Sequence, residues 1–150
     1  MPTHTEIKEL PYSAKQMYDL VADVGKYPEF LPWTAAARIR KDEQKEDHRV
    51  MDADLVISFK VFRERFTSRV LLWPAQQKID TEYLDGPFKY MRSNWYFEDT
   101  DRGCQIKFHV DFEFKNALLQ RIIGVVFNEA MQRVVRAFEA RAAVLYGVST

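Results

Sequence analysis

Residues 62–73 carry the most chemically varied strand pattern in the chain. At period two, Arg63, Arg65 and Arg69 share one face, while Glu64, Phe66 and Ser68 share the other. With the phenylalanine face turned inward, Glu64 and Ser68 enter the interior and the arginines meet solvent. A buried Glu64 then needs a partner. The arginines suit the phosphates of anionic lipid or of RNA; an exposed, salt-bridged strand edge is the plainer alternative. Acid–base chemistry needs converging polar groups, and Glu64 with Tyr83 or Tyr90 is the best set available. His4, His48 and His109 lack metal-ligand spacing, and Cys104 has no CxxC partner. GxSxG, HExxH, P-loop and GxGxxG motifs are all missing. No catalytic or metal residue is assigned.

The elements that position these residues follow from length and periodicity. A chain of 150 residues fits one domain, 1–150, and buries roughly two-thirds of its unfolded surface without disulfides or structural metal. Lys+Arg and Asp+Glu are equal at 22 each, which argues against nucleic acid as the main partner but leaves room for a local basic patch. The single Cys104 points to a reducing compartment. Met1-Pro2-Thr3-His4-Thr5-Glu6 lacks the pattern of a secretory or Arg-rich leader, and no run of 18 apolar residues occurs. The expected location is cytoplasmic, with peripheral contact at the inner membrane as a further option. Aromatic residues reach 14%, more than a small core requires, which hints at an aromatic-lined cavity.

Residues 3–10 read as a polar edge strand. Ser13 and Gln16 have capping-box spacing ahead of a helix over 14–23 with Ala14, Met17, Tyr18, Val21 and Val24 on one face, and Gly25 is expected as its left-handed stop. Two prolines confine Tyr27–Trp33 to a short helical turn. Strands follow at 35–41 and 48–59 around the turn 42–47, then at 62–73, 76–84 and 88–98, with a last strand through Ile106–Phe114. In 48–59, Met51, Ala53, Leu55, Ile57 and Phe59 alternate with Asp52, Asp54, Ser58 and Lys60. From Asn116 to Gly147 the period is helical, with a stripe of Leu119, Ile122, Ile123, Val126, Phe127, Ala130, Met131, Val134, Phe138, Ala142 and Leu145. The fold class is α+β: a long C-terminal helix on a curved antiparallel sheet, with strong curvature leaving a tunnel between them.

This order resembles the helix-grip fold of START-like, or polyketide cyclase/dehydrase-like, domains. Val24-Gly25-Lys26-Tyr27-Pro28-Glu29-Phe30-Leu31-Pro32-Trp33 looks like the signature after the first helix of the coenzyme Q-binding START-domain family. Leu84-Asp85-Gly86-Pro87-Phe88, followed by Trp95-Tyr96-Phe97, looks like its second signature. The resemblance implies non-catalytic binding of an isoprenoid quinone, ubiquinone, in the tunnel, supporting respiratory electron transfer or quinone delivery with no other cofactor. A bacterial branch is similar to the ribosome-association toxin, which implies the large ribosomal subunit as a partner instead. The superfamily also holds aromatic polyketide cyclases and dehydratases, a less favoured third reading.

For a ligand in that tunnel, the expected wall is Phe30, Leu31, Trp33, Leu55, Ile57, Phe59, Phe66, Val70, Met91, Trp95, Phe108, Val110, Phe112, Ile123, Phe127 and Met131. Met51, Leu72 and Phe97 share the inward face. A filled, dry core is the alternative for most of them. A quinone head group would accept a hydrogen bond from Ser68, Ser93 or a tyrosine hydroxyl. Leu118–Phe127 is apolar on more than one face, which suits membrane docking, a homodimer surface, or burial from several sides.

Overall fold

Capping chemistry sets the start of both helices. The Ser13 hydroxyl accepts from Gln16 N–H (3.0 Å), and the Gln16 side chain accepts from Ser13 N–H (2.9 Å), opening helix α1 (Ala14–Ala22). Asp99 satisfies another orphan donor there, accepting from Ala14 N–H at 2.9 Å. Asn116 opens the long helix α2 (Ala117–Tyr146) by accepting from Leu119 N–H at 3.0 Å. Gly147 closes it, with its N–H on the Ala143 carbonyl at 3.0 Å.

These details come from a computed structural model that describes residues 3–59 and 61–147. Met1, Pro2 and Lys60, read above from the sequence, lie outside the described residues. Seven strands form one antiparallel sheet: β1 (Thr3–Leu10), β2 (Thr34–Gln44), β3 (Arg49–Phe59), β4 (Phe62–Trp73), β5 (Lys78–Asp85), β6 (Phe88–Thr100) and β7 (Gly103–Phe114). Their spatial order is β1-β7-β6-β5-β4-β3-β2. β2 to β7 run as a meander, and β1 adds to the free side of β7 as an edge strand. The sheet curves around α2 in the helix-grip arrangement. Its inner face and both helices share one buried apolar cluster.

Several boundaries differ from the sequence expectation, each for a local reason. α1 stops at Ala22, and Gly25 does not adopt a left-handed backbone. Asp23 caps the helix instead, its N–H reaching the Leu20 carbonyl, and the chain passes directly into a 3₁₀ helix, Val24–Glu29. β2 runs on to Gln44, because Arg49 of β3 donates to both Asp42 carboxylate oxygens (2.7 and 2.5 Å) and draws that end into the ladder. β5 starts at Lys78, since Gln77 N–H bonds the Pro74 carbonyl in the preceding turn.

In α2 the buried set is Leu119, Ile123, Phe127, Ala130, Val135, Phe138 and Ala142. Val135 is fully buried although it lies off the expected stripe, and Leu145 is 51% exposed although it lies on it. The sheet is not the only surface that α2 meets. β1 and α1 pack on a second flank of its C-terminal half, where Lys8 pairs with Glu139 (2.6 Å) and the Tyr146 hydroxyl donates to the Gln16 carbonyl (3.1 Å). The burial stripe therefore rotates along the helix.

The corner between β1 and α1 sits on Gly103, which has φ +148°. A Cβ there would stand 2.1 Å from the Leu10 carbonyl oxygen and 2.8 Å from Pro11 carbonyl carbon. Neither neighbour can yield without moving backbone. Gly103→Ala is expected to cost about 2–4 kcal/mol, combining a disfavoured φ with this overlap. A urea titration that leaves the midpoint within error of wild type would contradict that packing.

Candidate functional site

The period-two pattern of the strands turns one row of side chains onto a concave face, and α2 crosses above it. Between them lies a cavity of about 250 Å³. β3 supplies Leu55, Ile57 and Phe59; β4 supplies Phe62, Glu64, Phe66, Ser68 and Val70; β5 supplies Ile79 and Thr81. β6 adds Phe88, Met91, Ser93 and Trp95, and β7 adds Phe108, Val110, Phe112 and Phe114. α2 forms the roof with Leu119, Ile123, Ala130, Met131, Val134 and Phe138. Val21, Val24, Tyr27 and the run Leu31–Thr34 cover the remaining side.

Two residues of the expected wall do not line this space. Phe30 follows the 3₁₀ helix and turns its ring onto Phe138 (5.3 Å) and under the Arg141 guanidinium (5.2 Å). Phe127 is spent on Phe112 (5.1 Å), sealing the roof rather than facing the void. Met51, Leu72 and Phe97, the other inward-facing strand residues, are buried core and lie off the cavity. The remaining expected wall residues, from Leu31 and Trp33 to Ile123 and Met131, do line it. Sequence reasoning missed Tyr27, Phe62, Thr81, Phe88, Phe114, Val134 and Phe138 as wall residues. Thr81 and Phe114 carried a usable signal, since each sits in phase with apolar neighbours two residues away. Tyr27 carried none, because its position depends on how the 3₁₀ helix folds back.

The rim is built from half-buried apolar groups: Leu31, Pro32 and Trp33, the hairpin residues Phe59 and Phe62, and Met131 and Val134 of α2. Trp33 has φ +62°, a left-handed conformation that costs a bulky residue of order 1–3 kcal/mol. Its carbonyl accepts from Ser58 N–H (2.8 Å), and its ring meets Phe59 edge-on at 5.8 Å. Those contacts hold the indole at the rim. Gly86, φ +142°, lets the β5–β6 turn close over Phe66; a Cβ would lie 2.5 Å from the phenylalanine Cβ.

Polar groups in the wall are few. Glu64, Ser68, Thr81 and Ser93 face the cavity from three adjacent strands. Tyr83 and Tyr90 are not in the wall, and the Tyr83 hydroxyl accepts from Phe88 N–H (3.1 Å). Glu64 therefore has no tyrosine converging with it, and the acid–base set considered from the sequence does not assemble. Elsewhere, His109 sits against Thr5 (2.7 Å) and Asp111 (3.4 Å), and His48 stacks on Trp73. Among the described residues no group of three or more His, Cys, Asp or Glu is placed to hold a metal ion. Burial pushes the Cys104 thiol up to about 11, which keeps it unreactive.

The outer sheet face divides the arginines. Arg69 is committed to Asp52 (2.9 Å), and Asp54 is buried beside Thr67, whose hydroxyl donates to it. Arg63 and Arg65 are exposed and make no ion pair among the described residues. On α2, Leu119, Ile123 and Phe127 are buried, while Leu118 and Val125 are 57% and 83% exposed. The apolar excess of that half is thus split between core and surface. No helix among the described residues is long and apolar enough to cross a membrane.

A curved sheet gripping a long helix around an apolar cavity defines a small-molecule-binding architecture of the START-like type. The chain belongs to the family described as polyketide cyclase / dehydrase and lipid transport, whose pattern matches residues 10–139. It is 39% identical over 142 residues to the ribosome association toxin RatA of Rickettsia prowazekii, covering 93% of each chain. It is 33% identical over 149 residues to the mitochondrial coenzyme Q-binding protein COQ10 homolog B of Xenopus laevis, covering 96% of this chain and 59% of that protein. Its structure matches that of the 18 kDa protein CC1736 from Caulobacter crescentus, with a TM-score of 0.82 and 33% identity, covering 99% of this chain and all of that one.

Tyr27 ties the cavity to the pH dependence of stability. Its hydroxyl donates to the Val21 carbonyl, and burial, helped by nearby Asp23, pushes its pKa well above the usual value near 10. A folded-state pKa raised above the unfolded one gives stability that is complete below about pH 10 and falls as pH rises beyond it. One such group contributes a slope of about 1.4 kcal/mol per pH unit in that window. Tyr27→Phe should lose about 1 kcal/mol near neutral pH and decline less steeply above pH 10. Urea midpoints from neutral to strongly alkaline pH test this; an unchanged alkaline slope counts against it.

Proposed function

We propose that the chain is a non-catalytic binding module for a hydrophobic isoprenoid quinone of the ubiquinone type. The ligand sits between the sheet and α2, in support of respiratory electron transfer or quinone delivery. The observation that carries this reading is the cavity itself: about 250 Å³ of space walled almost wholly by apolar and aromatic side chains. Each methylene of a ligand moved there from water gains about 0.8 kcal/mol. The volume falls just below the roughly 300–1,000 Å³ of complete small-molecule sites. It suits a ring with the start of its tail, the rest of the tail leaving past Trp33, Phe59 and Val134. The relative named for coenzyme Q binding supports the same ligand class. Exposed Leu118 and Val125 on α2 offer a surface for peripheral contact with the membrane that holds such lipids.

Val134→Trp places an indole at the rim without disturbing a fully buried position. It is expected to weaken quinone binding at least about tenfold while thermal stability stays near wild type, because apolar contact area in the cavity is the source of affinity. Organic extracts of purified wild-type protein should contain quinone. An empty extract together with no saturable binding of added quinone would sink the proposal.

A second reading has its own support. The relatives named as ribosome association toxins align over nearly the entire chain, and Arg63 and Arg65 form an exposed basic pair on the outer face with no ion pair among the described residues. In that reading the outer face contacts rRNA phosphates of the large subunit. Arg63→Glu with Arg65→Glu should then abolish cosedimentation with large ribosomal subunits and leave quinone binding intact. Undiminished cosedimentation of the double variant would remove the arginines from this role.

A further inference from the structure

The cavity wall contains a feature that apolar packing does not account for. Ser68 on β4, Thr81 on β5 and Ser93 on β6 all face the cavity. Thr81 and Ser93 are directly opposite in the ladder, and Ser68 pairs with Tyr83, the next inward-facing position along β5. The three hydroxyls therefore form a belt across three neighbouring strands. Ser68 is only 3% exposed, yet none of the three side chains makes a hydrogen bond among the described residues. Thr81 and Ser93 are half-buried, and their hydroxyls, like that of Ser68, open onto the cavity and not onto a protein partner. Valine or alanine at the same positions would make this part of the wall wholly apolar. The belt is thus a set of free donors aimed into an apolar space.

Glu64 adds a second constraint. It lies on the same face of β4, four residues before Ser68 and two after the rim residue Phe62, so it stands about 13 Å from Ser68 toward the entrance at 3.3 Å per residue. It has no cationic partner among the described residues. A carboxyl group at that depth disfavours the passage of an anion.

We infer that Ser68, Thr81 and Ser93 are the specificity-determining contacts of this cavity, seating the oxygens of an uncharged ligand, and that Glu64 rejects anionic amphiphiles at the entrance. The inference rests on the quinone-binding reading and deepens it. The facing Thr81–Ser93 pair reaches one ligand oxygen. Ser68, one strand over and two residues along, stands about 8 Å from Thr81 between backbone positions and reaches another. Side chains converging from that separation meet two carbonyl oxygens on opposite sides of one six-membered ring. The ligand then lies ring inward and tail outward, with its isoprenoid chain crossing the half-buried rim. Fatty acids match the apolar wall equally well but carry a negative charge past Glu64.

The test compares three probes by quenching of tryptophan fluorescence or by displacement: a short-chain ubiquinone, an isoprenoid hydrocarbon of similar carbon count without oxygens, and a straight-chain fatty acid. Replacing Thr81 by Val and Ser93 by Ala together is expected to weaken quinone binding about tenfold, the equivalent of two modest hydrogen bonds. Hydrocarbon binding should stay within about twofold, since no oxygen is involved. Thr81→Ser, which keeps the hydroxyl, should retain wild-type quinone affinity. Glu64→Gln should raise fatty-acid affinity about tenfold relative to quinone affinity.

Wild-type quinone affinity in the double variant, or equal loss of quinone and hydrocarbon, overturns the belt while the quinone reading stands. An unchanged ratio of fatty-acid to quinone affinity in Glu64→Gln overturns the gate. Wild-type protein with no saturable quinone binding overturns the underlying reading instead.

Discussion

Phe138 stands where three parts of the chain meet. Its ring lies 5.2 Å from Trp95 of β6, 5.4 Å from Tyr27 and 5.3 Å from Phe30, each contact tilted or edge-on. Such pairs contribute about 0.5–1.5 kcal/mol beyond the area they bury. The larger consequence is geometric. The junction pins the C-terminal third of α2 to the sheet and folds the segment after α1 across the side of the grip. Once this point is fixed, the rest of α2 must bridge a curved surface, and the gap beneath it becomes the cavity. The ion pairs Lys8–Glu139 and Arg141–Glu29 (both 2.6 Å) then hold the flanks of the helix to β1 and to the 3₁₀ helix.

The cavity persists because its wall is stiff. Aromatic rings lean on one another in two rows on the sheet, Phe66, Phe88, Phe112 and Phe114 in one and Phe97, Trp95 and Phe108 in the other. A row of rings braced in this way cannot collapse into a gap as readily as flexible aliphatic chains, and proteins otherwise leave few voids larger than a water molecule. The high aromatic content thus serves two ends. One part, including Phe127 and Phe97, fills the core, and the other lines space.

The two faces of β4 point to two kinds of partner. Inward, Phe66 and Val70 with the unpaired Ser68 suit an oxygenated apolar ligand. Outward, Arg69 is neutralised by Asp52 while Arg63 and Arg65 make no ion pair among the described residues. A small binding module and a surface for a large polyanion can therefore coexist on one strand, because successive side chains point to opposite faces. Relatives of this chain include proteins named for ribosome association and for coenzyme Q binding.

By itself the sequence determined the class of fold, the antiparallel sheet and the capping box that opens α1. These rest on local rules: period two or 3.6, a Ser-x-x-Gln box, turn residues between strands. It also determined most of the strand-borne wall, since alternation assigns a face to each residue. What tertiary structure alone decided was which inward residues fill and which line. Met51 and Phe66 obey the same alternation, yet one is packed core and the other borders the cavity. Phe30 turned away to Phe138, Tyr27 turned in, and Val135 was buried while Leu145 was not. Each of those outcomes depends on where α1, the 3₁₀ helix and β1 come to rest against α2. Those contacts join residues more than a hundred positions apart, as in Arg141–Glu29 and Lys8–Glu139, and no local pattern encodes them.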